Sequence, residues 1–267
     1  MSENFTQQMK LTAHDLNCWG RIRPISLARF MEDTAVAAAA AAGFNAAWYK
    51  GHKSGWFMRN LTLQQIGSVT GSELLTVSTW VSNIGRLRLD TEYEIHRPDG
   101  APVAVGRAER VYMDLVRLRP QALDPAMTAA WSAQVPSNLW RDLDTPMVPL
   151  SEPSATHTQQ AYLYDTDYLG HVNNTVYLNW LEESAREALH EALPQDPAPN
   201  GYRIALQKIA ITYLVPTRPG EVVTITTRPV QGTEAGDLVQ LNQELLGSDG
   251  TLRVRAETMY KRSLGES

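Results

Sequence analysis

The chain has 267 residues, with 24 Lys and Arg against 29 Asp and Glu and a formal net charge of −5. At 43% hydrophobic and 20% charged residues it has the composition of a soluble globular protein, long enough for one large domain or two ordinary ones and unlike a disordered chain. The acidic balance argues against a nucleic-acid partner, and the single cysteine, Cys18, excludes an internal disulfide framework and a four-cysteine zinc site.

The first 15 residues are polar and show no signal-peptide pattern. Cys18 reads as a small buried apolar residue. A helix is expected over Pro24–Ala42, because Pro24 suits a first turn, no breaker follows, and Gly43 suits a C-terminal cap. Its end, Ala35–Ala42, is the most apolar run in the chain and falls far short of the roughly 20 residues that cross a bilayer. No membrane span is therefore expected, and a cytoplasmic location is. Strand-like alternation follows over Phe57–Leu63, Glu73–Ser82, Arg88–His96 and Val103–Val116. Proline-rich sequence from Pro120 to Pro153 has the character of a linker with little regular structure. A second helix is expected over Asn174–Leu193, with Asn174 as N-cap and Pro194 as the stop. Its apolar residues recur at three- and four-residue steps, so one face is buried. Alternation then resumes over Ile204–Tyr213, Glu221–Val230, Leu238–Gly247 and Thr251–Lys261.

The order helix, strands, helix, strands suggests a repeat. Asn17–Asp33 laid over Asp167–Glu183 keeps an offset of 150 residues without a gap, pairing Gly20 with Gly170, Phe30 with Trp180 and Glu32 with Glu182. Further on, Leu61 and Glu73 fall on Ile209 and Glu221 at an offset of 148. Any two amphipathic helices share some similarity. A glycine-led loop, a helix and a following strand all in register point instead to duplication of a unit of about 120 residues, near the common size of a domain.

No nucleophile elbow, P-loop, dinucleotide fingerprint or H-E-x-x-H motif is present. Asp165-Thr166-Asp167 opens like a calcium loop, but Leu169 and Val176 stand where ligands are required, so calcium is rejected. The distinctive segment is Tyr164–Trp180, which places two carboxylates, a histidine and two asparagines just before a helix. Unpaired N–H groups and the positive dipole at a helix start stabilise an oxyanion. Asp167 is suited to deprotonate or orient a water, and His171 to hold a carbonyl or shuttle a proton. An ordinary capped turn with solvated aspartates is the other reading of the same residues.

The string D-x-D-x-x-x-H-V-N-N-x-x-Y-x-x-W resembles the motif of the acyl-acyl carrier protein thioesterases of plants and bacteria. The N-terminal half is similar to the same family at Phe30-Met31-Glu32-Asp33, at Trp56, at Val77–Trp80 and at Asp114–Pro120. The resemblance spans roughly residues 10–262, with H-V-N-N its most specific part. It implies an α+β tandem double hotdog, two antiparallel sheets each wrapped around a long helix. The implied units are an N-terminal hotdog at 1–125 with a degenerate site and an acyl pocket, a linker at 126–155, and a C-terminal hotdog at 156–267. It also implies hydrolysis of an acyl thioester carried by acyl carrier protein or coenzyme A, with no cofactor and no metal, in a monomeric double hotdog or a homodimer. Carried over by residue, Asp167 and His171 match the catalytic aspartate and histidine, and Asn173 and Asn174 the asparagines that follow. Asn173 is assigned to catalysis with them, and Asn174 to substrate binding. Two departures stand out: Leu169 replaces an asparagine of the plant enzymes, and Pro216 and Thr217 replace a glutamate and a cysteine. The D-x-x-G-H-V form is closer to simpler hotdog thioesterases, including those acting on coenzyme A esters.

The repeat locates the chemistry, since the first copy has Asn17 and Arg21 where the second has Asp167 and His171. Trp56, Phe57 and Met58 are candidates to line the acyl pocket, with plain core packing as the alternative. Ala35–Ala42 is explained either by helix propensity or by the room small side chains leave for an acyl chain. Glu182 and Glu183 are taken as surface residues. Arg117 and Arg119, with Arg86, Arg88, Arg107 and Arg110, form either a dock for an acidic carrier or phosphate, or a solvated strand face. Two other functions fit the resemblance, a hotdog dehydratase or hydratase and a silent acyl-thioester binder.

Overall fold

Alternating apolar and polar residues form antiparallel strand ladders in each of two units, Met1–Arg141 and Asp142–Ser267. They are seen in a computed structural model that describes residues 4–69, 71, 73–141, 155–192, 203–230 and 238–263. Unit 1 runs β1 (Phe5–Lys10), α1 (Pro24–Ala41), α2 (Ala46–His52), β2 (Ser54–Gln65), β3 (Leu74–Ile84), β4 (Arg88–His96), β5 (Pro102–Asp114), β6 (Arg119–Pro120) and α3 (Pro125–Ala130). Its sheet order is β1-β3-β4-β5-β2, antiparallel throughout, with β6 folded back on β5.

Unit 2 runs β7 (Ala155–Gln160), α4 (Val176–Ala192), β8 (Arg203–Tyr213), β9 (Val222–Pro229), β10 (Leu238–Gly247) and β11 (Leu252–Ser263). Its order, β7-β9-β10-β11-β8, is the order of unit 1 element for element. The repeat in sequence is thus a repeat of topology. Helix α1 packs on β1 and β3, and α4 on β7 and β9. The equivalent residues Met31 and Leu181 are 1% and 0% exposed, and burying such a side chain stabilises a fold by about 1.5–3 kcal/mol. At Gly106 on β5 a Cβ would lie 2.6 Å from the Met31 sulfur, so glycine is what lets α1 come close to its sheet.

Four features differ from expectation. Both N-terminal edge strands, β1 and β7, were not expected; their residues are polar on the outer face and mostly half-buried on the inner one, leaving no apolar run to detect. Helix α2 is too short for a period, contains Gly51, and is held at its start by Asn45, whose side chain accepts from the Trp48 N–H at 3.0 Å. Helix α4 begins at Val176, two residues after the expected cap Asn174, because Asn173 accepts from the N–H and hydroxyl of Thr175 at 2.9 and 2.7 Å. Cys18 is exposed, not buried, since it rides the tip of a tight turn.

The proline-rich stretch carries β6 and α3, and its next residues are bonded to the sheet of unit 1. The Gln134 N–H donates to the Val81 carbonyl at 2.9 Å, and the Trp80 indole to the Val135 carbonyl at 3.0 Å. Gln64 brackets Arg141, accepting from its N–H at 2.8 Å and donating to its carbonyl at 3.0 Å. Beneath them Glu92, fully buried, accepts from the Trp140 indole at 3.1 Å, from the Ser82 hydroxyl at 3.2 Å and from Arg107. Residues 142–154, the remainder of the expected linker, lie outside the described residues.

Candidate active site

The motif loop of unit 2 leaves β7 and enters a short 3-10 turn, Leu163–Asp165. Asp165 closes this turn, accepting from the Tyr162 N–H at 2.8 Å, and its carbonyl accepts from the Asn173 N–H at 2.9 Å. Asp165 is 8% exposed and acts as a structural cap. The chain then reverses over Asp167–Gly170, with the Gly170 N–H on the Asp167 carbonyl at 3.0 Å and the Asp167 N–H on the His171 carbonyl at 3.0 Å. Gly170 has φ +76, a conformation that glycine adopts without steric penalty. This reversal brings His171 Nδ1 to 3.1 Å from Asp167 Oδ1, with side-chain exposures of 13% and 20%. The same oxygen accepts from the Leu169 N–H at 2.8 Å, and among the described residues no group holds Oδ2.

Unit 1 builds the same reversal with different chemistry. The Asn17 N–H donates to the Arg21 carbonyl at 2.8 Å, and the Asn17 side chain accepts from the Trp19 and Arg21 N–H groups at 3.1 and 3.0 Å. The turn survives without a carboxylate or an imidazole at these two positions, where the second loop has both.

Three residues outside the loop hold that second copy. The Val172 N–H donates to the Thr217 carbonyl at 2.8 Å, the Thr217 N–H to the Tyr177 hydroxyl at 3.2 Å, and the Tyr213 hydroxyl to the Asn174 carbonyl at 2.9 Å. Burial pushes the Tyr177 hydroxyl above the usual tyrosine value, with the bonds to Thr217 pulling the other way. Tyr177 stood in the motif only as part of its Y-x-x-W tail. Tyr213 and Thr217 lie some 40 residues on, and only the folded sheet brings them to the loop.

The remaining candidates are distributed as follows. Asp167, His171, Asn173 and Asn174 share one loop. In unit 1, Trp56 and Met58 point to one face of β2 and Phe57 to the other, so the three do not form a single wall. Trp56 donates its indole N–H to the Tyr49 hydroxyl at 2.9 Å and lies 5.0 Å from the Tyr112 ring, within an aromatic cluster around Phe44, while Met58 is buried. Arg117 lies on the exposed β5–β6 turn, where it meets Asp114 at 3.6 Å, and Arg119 is the exposed first residue of β6. Arg88 is paired with Glu109 at 2.8 Å and Arg107 with Glu92, so these two charges are offset within unit 1. Burial along α1 ends at Thr34, and Ala35–Ala42 are half-buried or exposed. Glu183 is exposed and meets Arg186 at 3.1 Å. Glu182 is half-buried, and after burial its charge is the next cause pushing the Tyr260 hydroxyl upward.

Residues 162–260 match the thioesterase-like superfamily and residues 26–104 the thioesterase superfamily. A Lactobacillus plantarum protein assigned as an oleoyl thioesterase superposes with TM-score 0.79 at 19% identity, covering 99% of this chain and 98% of its own. An acyl-ACP thioesterase from Bacteroides thetaiotaomicron gives 0.76 at 18% identity, covering 96% and 97%. The 12:0-ACP thioesterase of Umbellularia californica gives 0.79 at 14% identity, covering 97% and 94%. These likenesses show the fold, a tandem of two hotdog units. No curated protein gives a significant sequence match.

Proposed function

Both units of this chain belong to the thioesterase superfamily, and from that premise we propose that it hydrolyses acyl thioesters to a free carboxylic acid and a thiol at the motif loop of unit 2. One observation carries the assignment. Of two loops that make the same turn, only the second has a carboxylate at its head, Asp167 against Asn17, with an imidazole 3.1 Å away in front of a long helix. Asp167 takes a proton from a water, whose oxygen attacks the thioester carbonyl carbon. The oxyanion that forms is stabilised by N–H groups and dipole at the start of α4. Collapse of the intermediate breaks the carbon–sulfur bond, and the thiolate leaves with the proton held by Asp167. His171 orients the carboxylate and the carbonyl, Asn173 shapes the helix entry, and Asn174 contacts the substrate.

The thiol is the phosphopantetheine arm of an acyl carrier protein or coenzyme A. Two of the similar folds are acyl-ACP thioesterases, which supports the carrier-protein form. Leu169, Pro216 and Thr217, which depart from the plant pattern, support the coenzyme A form. Fatty-acid synthesis in the cytoplasm is the setting this reading implies. Purified protein incubated with acyl-carrier protein and with acyl-coenzyme A should release free thiol. A hydroxyacyl thioester without thiol would assign a hydratase, and binding without turnover a silent acyl-thioester binder.

A further inference from the structure

We infer that Tyr177 is a positioning residue for the Asp167–His171 pair, acting through Thr217 and the peptide group between His171 and Val172; the inference rests on the hydrolytic reading of that loop. A peptide group is planar, so a bond at either end fixes the orientation of both. Here the carbonyl end, on His171, accepts from the Asp167 N–H at 3.0 Å, and the N–H end, on Val172, donates to the Thr217 carbonyl at 2.8 Å. Thr217 in turn donates its own N–H to the Tyr177 hydroxyl at 3.2 Å. A continuous series of bonds therefore runs from the Tyr177 hydroxyl to the backbone that carries both proposed catalytic side chains.

Tyr177 is itself fixed from two sides. Its ring meets Trp180 and Tyr213 edge-on, with centroids 5.1 and 5.7 Å away, and the Tyr213 hydroxyl holds the Asn174 carbonyl. The loop is thus gripped from outside at Val172 and at Asn174, on both sides of Asn173. Tyr177 is 2% exposed, so its hydroxyl serves the loop and not the substrate. It stays protonated at neutral pH, because burial raises it further.

Unit 1 separates this role from packing. The Leu11 N–H bonds the Glu73 carbonyl as the Ala161 N–H bonds the Glu221 carbonyl, which anchors the equivalences. Leu27, Gln65 and Val69 then stand where unit 2 has Tyr177, Tyr213 and Thr217. Leu27 is 0% and Val69 1% exposed, so aliphatic residues fill these places well. The tyrosine hydroxyls occur only in the unit that carries the carboxylate and the imidazole. A purely structural role does not account for that asymmetry.

Tyr177→Phe removes one oxygen and keeps the ring. Its kcat should fall about tenfold with KM within about threefold, as for lost positioning. Added to Asp167→Asn it should cause no further loss, because both act on one unit. The ring resonance of His171, identified by its disappearance in His171→Gln, should shift in the NMR spectrum of Tyr177→Phe. Wild-type kcat, a loss confined to KM, or full additivity with Asp167→Asn would each overturn the inference. If the wild-type protein releases no thiol, the hydrolytic reading fails by itself, and an unmoved His171 resonance then refutes the clamp independently. Should Tyr177→Phe not fold, Tyr213→Phe loosens the same loop at Asn174 and must show the same signature.

Discussion

Asn17 and Asp167 have side chains of nearly equal shape at equivalent turns, so their difference isolates charge from folding. Both accept backbone N–H bonds within the reversal, Asn17 from Trp19 and Arg21, Asp167 from Leu169. An asparagine at 167 therefore keeps the acceptor and loses only the base. Asp167→Asn should retain its melting temperature within a few degrees and lose about 100-fold or more in kcat, as expected for removal of a general base. Near-complete activity in a thiol-release assay would remove Asp167 from the mechanism and bring Glu182 forward. His171→Gln preserves a donor of similar reach without a ring nitrogen able to take up a proton. If His171 only orients, turnover drops about tenfold and the pH–rate profile keeps its shape. Loss of a rate limb near neutral pH together with near-total inactivity would make His171 the base instead.

At the scale of elements, the segment after α3 shows how one buried charge organises a polar stretch of chain. Glu92 lies fully buried on β4 and gathers Arg107, the Ser82 hydroxyl and the Trp140 indole. Buried carboxylates persist where several donors satisfy them, and removing such a hub strands those donors. Glu92→Ala should destabilise unit 1 by about 3 kcal/mol, seen as a lower urea midpoint. A midpoint unchanged from wild type would mean that residues 134–141 are held by Gln64 and the backbone bonds alone. Unit 2 has a polar knot of its own beneath α4, where Gln243 donates to the Leu181 carbonyl at 2.8 Å and accepts from the Thr258 hydroxyl at 2.9 Å. Both devices join residues far apart in the chain.

For the whole molecule the duplication makes an asymmetric prediction. Asn17→Ala deletes the acceptor of two N–H groups and should lower stability by about 1 kcal/mol, in line with other lost caps. Its turnover should stay close to wild type, whereas Asp167→Ala should lose both loop order and activity. Equal losses of kcat in the two variants, measured side by side, would show that both loops serve catalysis.

Local chemistry determined much of this molecule from sequence alone. Pro24 and Gly43 marked α1, alternation marked every long strand, and the constant offset between Asn17 and Asp167 exposed two copies of one unit. The turn that pairs Asp167 with His171 is also local, made by a glycine and bonds over a few residues; by themselves its residues read equally as a capped turn, and it was the family resemblance that named the candidate pair. What the tertiary structure decided lies beyond such a window. The edge strands β1 and β7 are polar and acquire meaning only by pairing with β3 and β9. The cap of α4 depended on which of two adjacent asparagines turned its side chain toward Thr175. The support of the motif loop comes from Tyr213 and Thr217, whose hydrogen bonds to Asn174 and Val172 exist only once the chain has traversed α4 and β8 and returned. Hydrogen bonds and packing act over a few ångströms of space, and sequence spacing reports that distance only within a single turn, helix or strand.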